Sequence, residues 1–260
     1  MRRLCVALVG VILLNACTAL GARQPASLTI YAAASLADAL RGAEPAYQAA
    51  VPGVHLTLST GSSGALRTQI EQGAQADLFL SADAANPEAL VREGLADGEP
   101  VSFAANRLTI IVPRDNPSGI RTPADLARPG VKIVAASDAA PIAAYTKRVV
   151  GNLARLAGYA PDFAAEYAAN VVSREDDVRA VVTKIELGEG DAAIVYVTDA
   201  AASSKVATIT IPGTANITAT YAGIVVKGSA HTAAARSFLT WLVGPRGRAI
   251  LRAFGFLAPP

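Results

Sequence analysis

The stretch LTIYAAASLADAL, residues 28–40, is the feature that most constrains the fold of this chain. An apolar strand, three alanines and Ser35 run into an amphipathic helix with almost no loop. This arrangement brings backbone N–H groups and one hydroxyl to the carboxyl edge of a sheet, beside a helix N-terminus. Such an edge favours a small bound anion over a large or cationic ligand.

Strand and helix patterns alternate along the rest of the chain, which predicts βαβ units and an α/β fold with a largely parallel sheet. Further strands are predicted at 54–59, 77–82, 107–113, 131–137, 171–173, 191–197, 206–211 and 219–227. Helices are predicted at 36–50, 65–72, 87–93, 141–157, 162–169, 176–188, 231–242 and 245–254.

Residues 1–16 are typical of a signal peptide of the lipoprotein type. Arg2 and Arg3 precede an apolar run, 6–14, that is too short for a comfortable membrane span. The sequence LNAC follows, and Cys17 is predicted to become the lipidated first residue of the mature chain. An ordinary cleaved secretory signal is the alternative. Either reading predicts a protein of the periplasm or of the outer face of the cytoplasmic membrane, where the lipid would anchor it.

The segment 17–26 is small and polar and predicts a tether between the leader and the folded domain. The two cysteines, Cys5 and Cys17, both precede the domain, which is therefore predicted to have no disulfide and no thiol chemistry.

The charge and histidine content disfavours several classes of function. The chain has 23 basic and 21 acidic residues, a formal net charge of +2, whereas a nucleic-acid-binding protein usually carries a basic excess on one face. Its two histidines, His55 and His231, are far apart in the sequence. This disfavours a histidine-based metal site and a catalytic triad that contains histidine.

Five motifs occur in a specific order: AAASL, a GSS loop, QADLFLSAD, EDDVR and AIVY. Together they resemble the substrate-binding component of a molybdate ABC transporter, over essentially the whole mature chain. The resemblance implies a two-lobed periplasmic-binding-protein (type II) fold. Each lobe would be a mixed, largely parallel sheet flanked by helices, and two crossing hinge strands would join them. The expected first lobe is 27–108 and 206–260, and the expected second lobe is 109–205.

In that family, uncharged donors from both lobes hold the oxyanion. Matching the motifs residue by residue assigns this role to the hydroxyls of Ser35 and Ser63, the backbone N–H groups of Ile142 and Val178, and the phenol of Tyr196. These groups would contact the oxygens of the ligand and not its metal atom. The family more often has a small residue at the position of Ile142.

Each assignment has an alternative that involves structure alone. Ser35 with Asp38 fits a capping box, and Ser63 fits a polar turn before a helix. The side chain of Val178 is predicted to lie in the core, and Tyr196 fits an edge-of-core tyrosine with a satisfied hydroxyl. The ordered match to one family favours the binding role.

Four charged residues near these motifs receive structural interpretations. Arg67 and Arg179 follow two of the site residues and are interpreted as parts of solvated helix faces. Asp83 and Asp199 follow strands and are interpreted as cap or turn residues.

The sequence therefore predicts a monomeric, non-enzymatic binding protein for molybdate or tungstate, which delivers its ligand to a membrane permease. It needs no cofactor and binds no nucleic acid. One alternative is a protein of the same fold for sulfate or ferric iron. Another is a secreted hydrolase that uses Ser35 or Ser63 and requires a base within reach. Hydrogen phosphate would need an acceptor for its proton, and the five proposed contacts include no carboxylate.

Overall fold

The computed structural model describes residues 26–260, in which strands and helices alternate. The strands are β1 (Ala26–Ala33), β2 (Val54–Gly61), β3 (Leu78–Ser81), β4 (Val101–Pro113), β5 (Ile133–Ala136), β6 (Val171–Glu175), β7 (Ala193–Tyr196), β8 (Val206–Ile209) and β9 (Thr218–Val225). The α-helices are α1 (Ala37–Ala50), α2 (Ser63–Glu71), α3 (Ala85–Arg92), α4 (Pro141–Leu153), α5 (Phe163–Ala169), α6 (Val178–Glu186), α7 (Val197–Ala201), α8 (Thr232–Val243) and α9 (Pro245–Ala253). Short 3-10 helices lie at Ala34–Leu36 and Pro123–Ala127. The α/β fold class is confirmed.

The predicted signal peptide 1–16, Cys17 and the predicted tether 17–26 lie outside the described residues, except that Ala26 is the first residue of β1. Between residues 26 and 260, no helix is both long enough and apolar enough to cross a membrane.

The first lobe is built on a mixed sheet in the order β2-β1-β3-β9-β4. β1 runs parallel to β2 and to β3, whereas β9 runs antiparallel to β3 and to β4. Helices α1, α2, α3 and α8 pack against these strands. Parallel neighbours end at the same edge, so the segments that follow β1, β2 and β3 lie side by side there.

The long strand β4 belongs to both lobes. Its residues 101–107 pair with β9 in the first sheet, and its residues 108–113 pair with β7 and β8 in the second. The second lobe also contains β5, which runs parallel to β6 and forms an isolated bridge to the start of β7 through Ile133 and Ala192. Helices α4, α5 and α6 pack on this sheet. β4 thus carries the chain from one lobe to the other, and the two-lobed fold is as predicted.

The pairing of β8 bears on the expected lobe boundary at residue 206. β8 pairs antiparallel with residues 110–113 of β4, so it lies with the second sheet. β9 is the strand that rejoins the first sheet. The lobe boundaries stay a prediction. The pairing of β8 favours a boundary between β8 and β9 over the expected boundary at residue 206.

The apolar faces that the sequence predicts are buried. On α6 the buried residues are Val178, Val181, Val182 and Ile185, a spacing that places all four on one side of the helix. In β1 the side chains of Leu28, Ile30 and Ala32 are buried as well. Burial of these faces fixes the rotation of α6 and the register of β1, and so the direction in which the helix starts and strand ends point.

Candidate functional site

One small cleft lies between the two lobes, and the structure brings all five predicted site residues to it. They are Ser35, Ser63, Ile142, Val178 and Tyr196. The remaining lining residues are Ala33, Ala34, Gly61, Ser62, Ala82, Ala140, Pro141 and Asp177, so that none of the described lining residues is Lys or Arg. The cavity volume is about 10 Å³, roughly the space that one water molecule needs. A larger solute enters only if the lobes move apart.

Ser35 lies in the 3-10 helix that follows β1, and its side chain is buried. Its Oγ is 2.9 Å from the phenol oxygen of Tyr221 on β9. When Tyr221 donates this bond, the hydroxyl of Ser35 keeps its own proton for a second acceptor. No side-chain bond caps α1 at its first residue, Ala37. The hydroxyl of Ser35 therefore bonds to Tyr221 in the lining of the cleft and does not cap the helix.

Ser63 is the first residue of α2, and its side chain is fully buried. The backbone N–H of Ala82, which follows β3, donates to Ser63 Oγ over 3.1 Å. A hydroxyl that accepts such a bond can still donate one, so Ser63 is also a fixed donor. The neighbouring Ser62 lines the same cleft, and its buried hydroxyl has no hydrogen-bond partner among the described residues.

Two helix starts of the second lobe present backbone N–H groups. Ile142 follows Pro141 at the start of α4, where the first N–H groups have no acceptor within the helix. Val178 is the first residue of α6, and Asp177 Oδ1 accepts from the next two amides, those of Arg179 at 2.8 Å and Ala180 at 3.0 Å. The N–H of Val178 thus remains the first-turn amide that the cap does not engage.

The side chains of Ile142 and Val178 are both buried in the hydrophobic core. What each residue can offer a solute is therefore its backbone, as predicted for a donor of this kind. These two N–H groups stand at the positive ends of two helix dipoles, which favour a bound negative charge.

Tyr196 ends β7, and only 1% of it is exposed. Its hydroxyl has no hydrogen-bond partner among residues 26–260, so the alternative of an edge-of-core tyrosine with a satisfied hydroxyl is wrong. The ring packs edge-to-face on Tyr221 with centroids 5.7 Å apart. Burial raises the pKa of Tyr196 well above its usual value, so the phenol stays protonated near neutral pH and acts as a donor. Because this phenol lines the cleft and has no protein acceptor among the described residues, it is free to donate a hydrogen bond to a solute there.

A direct backbone contact joins the lobes beside the cleft. The N–H of Gly64 on α2 donates to the carbonyl of Ala139, just before α4, over 3.0 Å. A Cβ atom at Gly64 would lie 2.4 Å from that carbonyl oxygen, closer than real atoms approach. Only glycine therefore permits this approach of the two lobes.

The cleft combines three serine hydroxyls, one phenol and two helix-start amides, all of them neutral donors. This set can hold a small anion, and the one carboxylate of the lining, that of Asp177, is engaged as the N-cap of α6. Neither histidine lines the cleft. The Nδ1 of His231 faces Asp77 in the first lobe at 3.3 Å, away from both serines of the site. The hydrolase alternative thus lacks the histidine base that Ser35 or Ser63 would require.

Residues 28–257 match the family described as bacterial extracellular solute-binding protein. The chain belongs to this family. Its members bind solutes outside the cytoplasmic membrane, so the chain is a solute-binding protein and not an enzyme.

Relatives and solved structures agree with this assignment. The chain is 34% identical to the molybdate-binding protein ModA of Mycobacterium tuberculosis, over 97% of each chain. The solved structure of the Azotobacter vinelandii periplasmic molybdate-binding protein matches with a TM-score of 0.75 at 24% identity, over 90% of this chain and 100% of that one. The sulfate-binding protein SubI of Mycobacterium tuberculosis matches with a TM-score of 0.79 at 23% identity, over 89% and 86%. At such identities the two structures establish the fold.

Several residues in or beside this cleft were not predicted. Asp177 carries a signal in the sequence, because an aspartate before a helical stripe is a typical N-cap. Gly64 follows the two serines of the GSSG turn, but its contact with Ala139 joins distant segments. Tyr221 has no local signal, since it meets Ser35 across 186 positions of sequence.

Proposed function

We propose that this solute-binding protein captures molybdate or tungstate outside the cytoplasmic membrane and delivers it to an ABC transporter permease. The observation that carries the proposal is the cleft of neutral donors from both lobes, whose lining includes the unpartnered phenol of Tyr196. Ser35 and Ser63 would bind the oxyanion from the first lobe. The backbone N–H groups of Ile142 and Val178 and the phenol of Tyr196 would bind it from the second.

Neutral donors are sufficient for a dianion in a buried site. A hydrogen bond to a charged group contributes about 1.5–3 kcal/mol, more than one between neutral groups. The dipoles of α4 and α6 add to this at the two amides. Neither an arginine nor a lysine then has to be desolvated with the ligand. A fully ionised oxyanion such as molybdate needs only donors, which is what these five residues provide.

The choice of molybdate is supported by the relative of Mycobacterium tuberculosis, which carries the name molybdate-binding protein at 34% identity. Sulfate is the closest competitor in charge and shape. The structure adds one carboxylate to the lining, that of Asp177, whose Oδ1 accepts two backbone N–H bonds. Hydrogen phosphate therefore belongs in the panel of tested ligands, because a carboxylate is the acceptor that its proton requires.

Native mass spectrometry of protein purified from its host tests the ligand directly. We expect a retained mass equal to one molybdate or tungstate per chain, which is lost on unfolding. Titration calorimetry of the ligand-free protein with molybdate, tungstate, sulfate and phosphate then ranks the four. Tighter binding of sulfate or phosphate would contradict the molybdate assignment.

Delivery follows from movement of the lobes. The cavity holds about 10 Å³, so we infer that the oxyanion enters an open form and that the lobes close over it. A closed, loaded monomer would present one surface from each lobe to the permease. Transport in cells that express the permease, with and without this protein, tests this role.

The lipid anchor is part of the same proposal. Cys17 after LNA supports acylation, which would hold the protein at the outer face of the cytoplasmic membrane. We expect Cys17→Ala to prevent acylation and processing, and to change the intact mass of the mature protein accordingly. A wild-type protein that is fully soluble and carries no acyl group would contradict the anchor and leave the ligand assignment intact.

A further inference from the structure

Arg179 contacts carboxylates of both lobes. Its guanidinium pairs with Asp38 of α1 in the first lobe, and its Nε lies 3.4 Å from Asp199 Oδ1 of α7, beside β7 of the second lobe. The interpretation of Arg179 as part of a solvated helix face is therefore wrong. Asp38 is not a helix cap either, because its carboxylate binds Arg179 and Arg41.

Asp199 is the buried one of the two carboxylates that Arg179 contacts. Only 1% of the residue is exposed, and neither carboxylate oxygen has a hydrogen-bond partner among the described residues. Burial raises the pKa of Asp199 to about 7, against the opposing charge of Arg179. Tyr196, Tyr221, Asp177 and Asp38 are the other titratable groups coupled to it. In its ionised form this buried carboxylate draws the guanidinium of Arg179 towards it and restricts its direction.

Asp38 is the partner that the guanidinium reaches in the other lobe. Burial acts to raise the pKa of Asp38, but hydrogen bonds from Arg179 and Arg41 hold it below its usual value. The carboxylate is therefore ionised at neutral pH. The pair is only partly exposed, with 32% of the Arg179 side chain and 34% of the Asp38 side chain accessible.

The sequence positions of this pair connect it to the solute cleft. Arg179 directly follows Val178, whose N–H is a proposed donor, and Asp38 lies three residues after Ser35. We propose that Arg179 is a positioning residue for lobe closure: anchored by Asp199, it captures Asp38 and so brings the donors of the two lobes to one ligand. The idea rests on the proposed function for its ligand, but it concerns residues that do not line the cleft.

Arg179 could also strengthen binding simply because its positive charge attracts a dianion. Arg67 distinguishes this explanation from lobe closure. Arg67 lies four residues after Ser63 and, like Arg179, near the cleft in sequence. However, its Nε forms an ion pair with Glu71 of the same helix at 2.9 Å, and within residues 26–260 Arg67 forms no ion pair with the other lobe. Attraction of the anion predicts similar effects for both arginines, whereas closure predicts an effect for Arg179 alone.

The test measures molybdate affinity and dissociation rate in Asp38→Asn, Arg179→Gln and the double variant. We expect each single variant to weaken binding about fivefold, mainly through faster dissociation. The double variant should bind molybdate no more weakly than the single variant with the lower affinity, because all three variants remove the same contact. Asp38→Asn is the safer variant, since it leaves Arg179 paired with the buried Asp199.

Two control variants accompany these. Arg41→Gln removes the other partner of Asp38, which lies on the same helix, and Arg67→Gln removes the second arginine near the site. Both should bind molybdate within about twofold of the wild type. Wild-type affinity in Asp38→Asn would overturn the proposal, as would equal losses in Arg67→Gln and Arg179→Gln.

Small-angle scattering of the ligand-free proteins provides a readout that does not depend on the ligand. We expect a larger radius of gyration for Asp38→Asn than for the wild type and no change for Arg41→Gln. Equal radii for Asp38→Asn and the wild type would overturn the closure role. Failure of the wild type to bind any oxyanion would refute the proposed function, and the scattering would still decide the role of Arg179.

Discussion

The two sides of the cleft differ in how their donors are held. On the first-lobe side, Ser35 and Ser63 are fixed by bonds within their own lobe, to Tyr221 and to Ala82. On the second-lobe side, the phenol of Tyr196 is buried without any partner among the described residues. The two predicted donors of the first side, Ser35 and Ser63, are thus fixed by the fold alone, whereas the phenol of Tyr196 gains its acceptor only when a solute and both lobes meet. Five substitutions test this difference.

The largest effect is expected where the two sides touch. Gly64→Ala places a Cβ against the carbonyl oxygen of Ala139 and removes room for closure. Overpacking costs about 1–3 kcal/mol and the lost backbone bond about 1 more, so affinity should fall on the order of 100-fold. Alanine is the better helix former, so the free energy of unfolding of the ligand-free protein should not fall. Calorimetry and urea denaturation measure the two quantities.

Gly151→Ala is the matched control for this change. Gly151 also lies within a helix, α4, but nothing lies within 4 Å of an added Cβ. It should leave the affinity unchanged. Wild-type affinity in Gly64→Ala would mean that the lobes do not approach at this point in the bound protein.

Next in size are the first-lobe hydroxyls. Ser35→Ala and Ser63→Ala each remove a hydrogen bond to a charged ligand, worth about 1.5–3 kcal/mol, so each should weaken oxyanion binding roughly 10- to 100-fold. Ser27→Ala, at an exposed site where the hydroxyl contacts Thr57, is the control and should have no effect. If both cleft variants keep wild-type affinity in calorimetry, the serines do not belong to the binding site.

A smaller effect is expected for the residue that orients Ser35. Tyr221→Phe removes a neutral hydrogen bond worth about 0.5–1.5 kcal/mol, so affinity should fall roughly 2- to 10-fold. Combined with Ser35→Ala it should add nothing, since Tyr221 acts through that hydroxyl. Tyr47→Phe, in which a buried hydroxyl outside the cleft is removed, is the control. Additive losses in the double variant would show that Tyr221 acts on binding by another route.

The smallest effect on affinity is expected for Val178→Ala. Its backbone is the proposed donor, so binding should stay within about twofold of the wild type. Its side chain is buried, and removing two methyl groups should lower the free energy of unfolding by about 1–3 kcal/mol. A tenfold loss of affinity with unchanged stability would mean that the side chain itself contacts the ligand.

Features that depend on local sequence were predictable. The apolar stripe of α6, for example, repeats with the helical period, and the structure buries it. The start of β4 was not predictable from local sequence. The strand begins at Val101 and not at 107, because residues 101–106 are held by pairing with β9. The short helix α7 was missed for a similar reason, since its sequence, VTDAA, has no periodic signal of its own.

In the candidate site, too, the features encoded in local sequence were predictable and the long-range contacts were not. The five predicted residues follow from ordered motifs, and the structure brings them to one cleft. The contacts that arrange them join distant segments, as Arg179 does with Asp38 across 141 positions and Gly64 with Ala139 between the lobes. Local sequence carries no signal for such a partner, and for this reason it predicts that Arg179 is part of a solvated helix face.

The thermal stability of the ligand-free protein with each oxyanion tests the central claim most directly. Molybdate, tungstate and sulfate are tetrahedral dianions at neutral pH, so a ring of fixed donors must separate them by size. A ligand that binds only the native state adds about 2.7 kcal/mol at 100 times its dissociation constant. We predict a clear rise in Tm with low molybdate or tungstate and little with equal sulfate or phosphate. A larger rise with sulfate or phosphate would contradict the molybdate assignment, and no rise with any oxyanion would contradict binding in this cleft.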